Sequence, residues 1–252
     1  MENLRRVGGF TLVELIHALF VGGLLMSAVY LMMISGQKSS AGIERKVAAQ
    51  QDVRAARDIM AMEIGMASYN PFCASAIWVN PSTCTGASAN PQYRGIQVAG
   101  PTAITVEMDI GSPGANPNQE DGIISAPNEI ISYAYDDASQ TITRSASRGL
   151  GDCGSADPFL GGGASAVAGT KTVNLINDTA GTNNGNGVAA IFRYYNSAGG
   201  EIYPGTDPSV IPDIRRIDIA LAVQTENKDP GTNAYREMIY STSVFVRNHV
   251  LR

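Results

Sequence analysis

The chain has few of the side chains that enzymes use for catalysis. Only two histidines occur among its 252 residues, His17 in an apolar run and His249 near the C-terminus. The sequence contains no Gly-x-Ser-x-Gly elbow, no His-Glu-x-x-His motif and no phosphate-binding loop. Because these patterns supply the nucleophile, the metal ligands or the phosphate cradle of large enzyme classes, we predict no catalytic residues and no enzyme activity.

Positive charge is also scarce beyond the first residues. The chain has only four lysines, and its formal net charge is −5. Residues 1–9 carry Glu2, Arg5 and Arg6, a net charge of +1, so their removal would leave −6 (−5 minus +1). No basic cluster follows Arg6. A nucleic-acid partner is therefore not predicted, since binding to phosphates needs a basic patch.

The longest feature that is present is an apolar run from Phe10 to Ile34. Its only acidic or basic side chains are Glu14 and His17. As a helix the run would be about 37 Å long, more than the hydrocarbon core of about 30 Å that it would have to cross. Arg5 and Arg6 precede it, so the positive-inside rule predicts a cytoplasmic N-terminus and export of the chain beyond the run.

Glu14 is the most informative residue of this run. A carboxylate inside an apolar span is costly unless it is paired, so its presence indicates a function. The segment from Gly9 to Glu14, Gly-Phe-Thr-Leu-Val-Glu, resembles the prepilin signature of type IV pilins and type II secretion pseudopilins. The resemblance implies that prepilin peptidase cleaves between Gly9 and Phe10 and that Phe10 is N-methylated. It also implies that Glu14 meets the free amine of a neighbouring subunit in the membrane and sets the register of assembly.

His17 lies three residues after Glu14 and so on nearly the same helical face. A hydrogen bond to Glu14, a contact with a neighbouring subunit and a neutral histidine tolerated near the end of the span are all consistent with this position. We assign His17 no role.

The helix is predicted to continue beyond the membrane. No proline occurs between Phe10 and Asn70, and Pro71 is a terminator. One apolar stripe recurs at helical spacing along the second half: Val47, Val53, Ala56, Met60, Ile64 and Ala67. We therefore predict a leader at 1–9, a membrane and assembly half of the helix at 10–34, a periplasmic amphipathic half at 35–70, and a globular head at 71–252.

The head is predicted to consist of strands and long loops. Residues 71–100 and 149–169 lack periodicity and are predicted loops. Alternating or β-rich segments predict strands at 104–110, 129–135, 140–144, 188–195, 201–203, 217–223 and 238–247, the second and third forming a hairpin. A helix followed by hairpin-linked strands indicates an α+β fold with an antiparallel sheet, the pilin-like arrangement that the resemblance also implies.

Two further segments refine the resemblance. The helical segment 51–64 and the closing run 241–248 look like those of PilW-type minor pilins, and J-type minor pseudopilins share the same plan. This implies an inner-membrane minor pilin that helps to initiate pilus assembly and sits near the filament tip. Its implied partners are other minor and major pilins, prepilin peptidase, the inner-membrane assembly platform and membrane lipid. The alternatives are a minor pseudopilin of type II secretion and a membrane-anchored periplasmic binding module.

Three cysteines lie in the exported part, where an oxidising compartment favours disulfides. Cys73 and Cys84 would close a small loop after the helix, and we favour that pair, although spacing leaves pairing of Cys153 with either partner open. No histidine lies near them and no CxxC occurs, which argues against zinc. We predict no metal or cofactor; the alternative is calcium in the oxygen-rich loops 118–121 and 177–186, neither of which matches an EF-hand.

Overall fold

We describe a computed structural model of the chain for residues 9–74, 76–112, 119–162, 172–177, 189–229 and 231–249. Arg5 and Arg6 of the leader lie outside the described residues. So do Asn118 and most of the predicted calcium loop at 177–186.

A single helix, α1, runs from Leu12 to Gly65 over 54 residues. Its continuity follows from the absence of proline, which would remove a hydrogen bond and clash with the preceding turn. The first half projects away from the head, and burial begins only at Ala49. The buried stripe matches the predicted periodicity at most positions: Ala49, Val53, Ala56, Met60, Glu63 and Ile64.

The end of α1 differs from the prediction. The helix stops at Gly65 rather than at Asn70, so the predicted extent of its second half is wrong by several residues. Ser68 adopts a left-handed conformation with φ of 65°. Its backbone N–H donates to the carbonyl of Glu107 at 2.9 Å, so the chain leaves the helix to join a strand before it reaches Pro71.

The described part of the head contains twelve strands and two short 3₁₀ helices, at Pro91–Tyr93 and Pro208–Asp213. The strands are β1 (Val79–Asn80), β2 (Thr85–Ala87), β3 (Ile96–Ala99), β4 (Ala103–Glu107), β5 (Ile130–Asp136), β6 (Thr141–Ala146), β7 (Asp157–Gly161), β8 (Val173–Leu175), β9 (Phe192–Tyr195), β10 (Glu201–Ile202), β11 (Arg216–Thr225) and β12 (Glu237–Phe245).

These strands form two five-stranded antiparallel sheets and one small hairpin, β1–β2. The first sheet has the order β3-β4-β5-β6-β7, and the second has the order β10-β9-β11-β12. β11 is long enough to take β9 along its first half and β8 along its second half on one edge, while β12 covers its other edge.

The core lies between α1 and both sheets. The helix packs against β11 and β12 of the second sheet and against β7 of the first. The sheets meet where Leu175 of β8 donates its backbone N–H to Gln140, in the turn between β5 and β6, at 3.2 Å. Residues of the helix and of both sheets belong to one continuous apolar cluster, so the head is built around the second half of α1.

The α+β prediction is confirmed, and so is the β5–β6 hairpin. Two predicted loops prove to contain strands. β3 lies within 71–100 and β7 lies within 149–169. β7 carries Pro158 and a glycine end, so its own composition favours a loop, and pairing with β6 overrides that local preference.

Candidate functional site

The start of α1 is closed by a reciprocal cap between Thr11 and Glu14. The Thr11 side chain accepts a hydrogen bond from the Glu14 backbone N–H at 3.3 Å. The Glu14 carboxylate accepts in return from the Thr11 backbone N–H and hydroxyl, each at 2.9 Å. This capping box satisfies donors at the helix start that would otherwise lack partners in an apolar environment.

The cap leaves part of the Glu14 carboxylate available. Both bonds from Thr11 use Oε2, and no described residue donates to Oε1. The sequence interpretation missed this cap, although Thr-x-x-Glu at a helix start is its known signature. A hydrogen-bond donor from another subunit would therefore bind Glu14 in addition to Thr11, which the carboxylate already contacts within its own chain.

His17 turns to its own helix. Its Nδ1 donates to the backbone carbonyl of Val13 at 2.9 Å, so the imidazole bonds the backbone rather than Glu14. Ser27 likewise places its hydroxyl 2.9 Å from the carbonyls of Gly23 and Leu24. These two polar side chains of the apolar half are thus satisfied within the helix, as required where no water is available.

No described part of the chain covers the apolar side chains of the first half of α1. From Phe10 to Met33 the large hydrophobic side chains are exposed, Phe10 by 90%. By length and composition α1 is able to cross a membrane. So large a contiguous apolar surface must be covered by lipid or by other protein subunits.

The second half of α1 is joined to the first sheet through a buried polar cluster. Arg144 of β6 makes two hydrogen bonds to the Glu63 carboxylate, at 2.7 and 3.1 Å, and the Tyr133 hydroxyl of β5 also donates to it. Burial raises the pKa of Tyr133 far above its ordinary value, and the hydrogen bond to Glu63 is the second largest cause of this rise. The cluster fixes the rotation of the helix on the head, because the carboxylate is satisfied only when it faces these two strands.

The disulfide prediction is wrong in its pairing. Cys84 is bonded to Cys153, across 69 residues, and Cys73 is free and exposed. The backbone carbonyl of Cys84 accepts a hydrogen bond from the backbone N–H of Gly151 at 2.8 Å. This contact brings the segment that contains Cys153 next to Cys84. Cys84 packs with a small apolar cluster that includes Trp78, whereas Cys73 lies in an exposed turn after Pro71.

Three buried carboxylates in and between β4 and β5 accept hydrogen bonds from backbone N–H groups. Glu129 accepts four backbone N–H groups, from Ile110, Gly111, Ser125 and Ala126, at 2.7 to 3.0 Å. Asp109 accepts from Gly122 at 2.9 Å, and Glu107 accepts from Val79 at 3.2 Å. Burial raises the pKa of all three, that of Glu107 to about 8. These oxygens bind the backbone, so they serve the fold.

Within the described ranges no group of three or more histidine, cysteine, aspartate or glutamate side chains is placed to hold a metal ion. Asn177, the first residue of one predicted calcium loop, is buried and bonds β11 through its side-chain amide, to Ala220 and Ala222 at 3.0 Å. Asp121, of the other loop, accepts from the backbone of Ile123 at 3.1 Å.

The predicted assembly residues therefore cluster at one end of the molecule. Gly9, Phe10 and Glu14 stand at the tip of the projecting helix, remote in sequence from the core that begins at Ala49. The cysteines lie in the head instead.

Comparison with known proteins agrees with this geometry. Residues 4–30 match the family model described as the prokaryotic N-terminal methylation motif. No curated protein and no solved structure matches the chain. The motif indicates a structural protein that is anchored by its N-terminal helix, carries a soluble head and assembles with other pilins. With the projecting apolar helix and the antiparallel head, it supports a type IV pilin or pseudopilin precursor that prepilin peptidase processes.

Proposed function

We propose that the protein is a minor type IV pilin that helps to initiate pilus assembly and remains near the filament tip. The single observation that carries this proposal is the methylation motif at the start of an uncovered apolar helix. Such a helix has two environments available to it, the lipid of the inner membrane and the helices of other subunits. A subunit that passes from the first to the second exchanges lipid contacts for helix contacts without exposing its apolar surface to water.

The orientation follows from charge. Arg5 and Arg6 hold the N-terminus in the cytoplasm, and the head is exported to the periplasm. Prepilin peptidase cuts between Gly9 and Phe10, and Phe10 is then N-methylated. The assembly platform in the inner membrane extracts the processed chain toward the pilus. The resemblance of 51–64 and 241–248 to PilW-type chains supports the minor-pilin assignment.

Glu14 guides assembly in this proposal. Cleavage creates a positive amine on Phe10 of each subunit, at the level of the carboxylates in its neighbours. Opposite charges attract strongly in an apolar medium, so pairing of Glu14 with a neighbour's amine defines the axial register. The cap from Thr11 occupies Oε2 and so orients the carboxylate before the neighbour arrives, which lowers the entropy cost of forming the pair.

The test is a count of surface pili by electron microscopy in cells that lack the protein. We expect a sharp loss of pili, restored by the wild-type chain and not by Glu14→Ala. The matched control is Thr11→Val, which removes the capping hydroxyl but keeps the carboxylate and the Thr11 backbone N–H. It should restore most pili if Glu14 acts between subunits. Equal failure of both variants would instead assign Glu14 to capping alone.

A minor pseudopilin of type II secretion is the second candidate, because the matched motif is common to both classes. An unchanged pilus count together with a fall in secreted protein would favour it. A membrane-anchored binding module is distinguished by a chain that keeps its leader and lacks methylation on Phe10, both read by mass spectrometry.

A further inference from the structure

Among the described residues, no strand pairs with one edge of β12, the last strand of the second sheet. Val246 donates to Arg215 at 3.1 Å, and Thr225 donates to Arg236 at 2.9 Å, which fixes the phase of the ladder between β11 and β12. Residues of an antiparallel strand alternate between the two sides, so even-numbered residues of β12 bond β11 and odd-numbered residues direct N–H and C=O outward. The outward residues are Glu237, Ile239, Ser241, Ser243 and Phe245. The Phe245 carbonyl already accepts from the Arg247 backbone N–H at 3.1 Å, so the open part of the edge runs from Glu237 to Ser243.

These outward backbone groups belong to residues whose side chains are also exposed, Ile239 by 56% and Phe245 by 63%. No other described strand pairs with this edge. Proteins usually protect such edges by short length, proline, lysine or a bulge. β12 is nine residues long, contains neither proline nor lysine, and keeps a regular register with β11 throughout; Glu237 at its start is its one charged residue.

Within the described ranges, the other edge strands of the two five-stranded sheets are short or irregular, and β8 has only three residues. β10 has two residues and is soon followed by Pro204. β3 pairs with an irregular register, and β7 combines an irregular register with Pro158. The contrast shows that β12 differs from the other edges of the same head in its capacity to accept another strand.

Positive charge flanks this edge. The helix α1 runs alongside β12 in the same direction, since Gln50 contacts Met238 and Gly65 lies close to Val244. Lys46 and Arg54 are four residues on either side of Gln50, so they occupy the same side of the helix, and both are exposed. Arg57 and Asp58 nearby on the helix pair with each other, and Glu237 lies on the edge itself, so the cations exceed the anions here by one in a chain of net charge −5. An added strand with acidic side chains would complement this excess.

We propose that the free edge of β12 binds an extended, acidic segment of another protein, which adds to the second sheet as a further strand. Main-chain hydrogen bonds from the four outward residues between Glu237 and Ser243 hold the segment, and Lys46 and Arg54 select its charge. This goes beyond the proposed function, because it assigns the head a partner surface separate from the assembly helix. Two copies anchored in one membrane cannot pair their β12 strands in antiparallel fashion. Because α1 runs in the same direction as β12, their two anchors would then point in opposite directions.

Peptide binding to the full-length protein in lipid nanodiscs tests the proposal. The probes are two nine-residue peptides that alternate threonine with glutamate or threonine with lysine. We expect the glutamate peptide to bind at least tenfold more tightly by fluorescence anisotropy. It should also slow hydrogen exchange at the outward amides of β12. Absence of protection there, or equal affinity for both peptides, would overturn the proposal.

Three variants separate the edge from its surroundings. Ser241→Pro removes an outward N–H without touching a bond to β11, so it should abolish binding and leave the thermal transition of the head unchanged. Ser241→Ala keeps the N–H and should bind as the wild type does. The double variant Lys46→Glu/Arg54→Glu keeps the edge intact and should reverse the preference toward the lysine peptide, which keeps the test decisive even if the proline variant misfolds.

Self-association is the competing outcome. A dimer that forms with rising protein concentration and is lost in Ser241→Pro would assign the edge to a second copy of the chain and overturn the acidic partner. An unchanged peptide preference in the charge-reversed variant would equally contradict the role given to Lys46 and Arg54.

Discussion

Arg144 illustrates how much of the fold depends on a single buried pair. Its side chain is only 25% exposed and is bonded twice to Glu63, whose own side chain is 10% exposed. We expect Arg144→Met to lower the free energy of unfolding by about 2–3 kcal/mol, because the Glu63 carboxylate would remain buried with the Tyr133 hydroxyl as its main donor. The value is below that for a fully buried pair because water still reaches Arg144.

Denaturant unfolding followed by the fluorescence of Trp78, the single tryptophan, measures this change. A double variant, Glu63→Leu with Arg144→Met, should recover part of the loss by removing the unpaired carboxylate. Equal stabilities of the single variant and the wild type would contradict the importance of the cluster.

Glu107 gives a pH-dependent prediction. Burial raises its pKa from 4.5 to about 8, so the folded state keeps the proton over a range in which the unfolded chain releases it. Stability contributed by this group is therefore present below pH 4.5 and is lost as pH rises toward 8. The variant Glu107→Gln does not ionise. Its stability advantage over the wild type should be small at pH 4.5 and reach about 3–5 kcal/mol above pH 8.

The measurement is the difference in unfolding free energy between the two proteins at each pH, obtained by denaturant unfolding. The contributions of all other titrating groups are the same in both proteins and cancel in this difference. A difference that stays constant between pH 4.5 and pH 8 would show that Glu107 ionises normally in the fold.

The disulfide connects two distant elements, the turn after β1 and the segment after β6. Closing a loop of 69 residues restricts the unfolded chain, and removing the bond should cost about 4 kcal/mol. We expect this loss in Cys84→Ser/Cys153→Ser, measured by thermal unfolding. Cys73→Ser is the matched control and should unfold as the wild type does, because Cys73 is exposed and free. An equal loss of stability in Cys73→Ser and in the double variant would restore the Cys73–Cys84 pairing.

For the whole molecule, the projecting half of α1 and the head are predicted to be separable. Burial begins at Ala49, so a chain that starts at Ser35 keeps every buried position of the helix. We expect this chain to be monomeric and soluble without detergent, with the same disulfide and a thermal transition within a few degrees of the full-length protein. Light scattering and calorimetry measure both. Aggregation of the shortened chain would indicate that the anchor stabilises the head.

The sequence predicted elements that depend on neighbouring residues and failed where distant contacts decide. The α1 helix and the β5–β6 hairpin follow from uninterrupted periodicity and a polar turn. The end of α1 was misplaced because Ser68 bonds Glu107, a residue far along the chain. β7 was missed because its proline and glycine favour a loop, and its pairing with β6 is a tertiary effect.

The candidate site divides in the same way. Hydropathy, charge and the motif at residues 4–30 act along one segment, so the sequence alone determined the apolar anchor helix and the pilin-type processing signal. Only the tertiary structure decided which cysteine Cys84 joins, which strand lies at an open edge, and which carboxylates are buried. These properties depend on which segments, distant in sequence, come into contact when the sheets form around α1. Sequence spacing does not specify these long-range contacts, because loops of the same length are compatible with many different strand pairings.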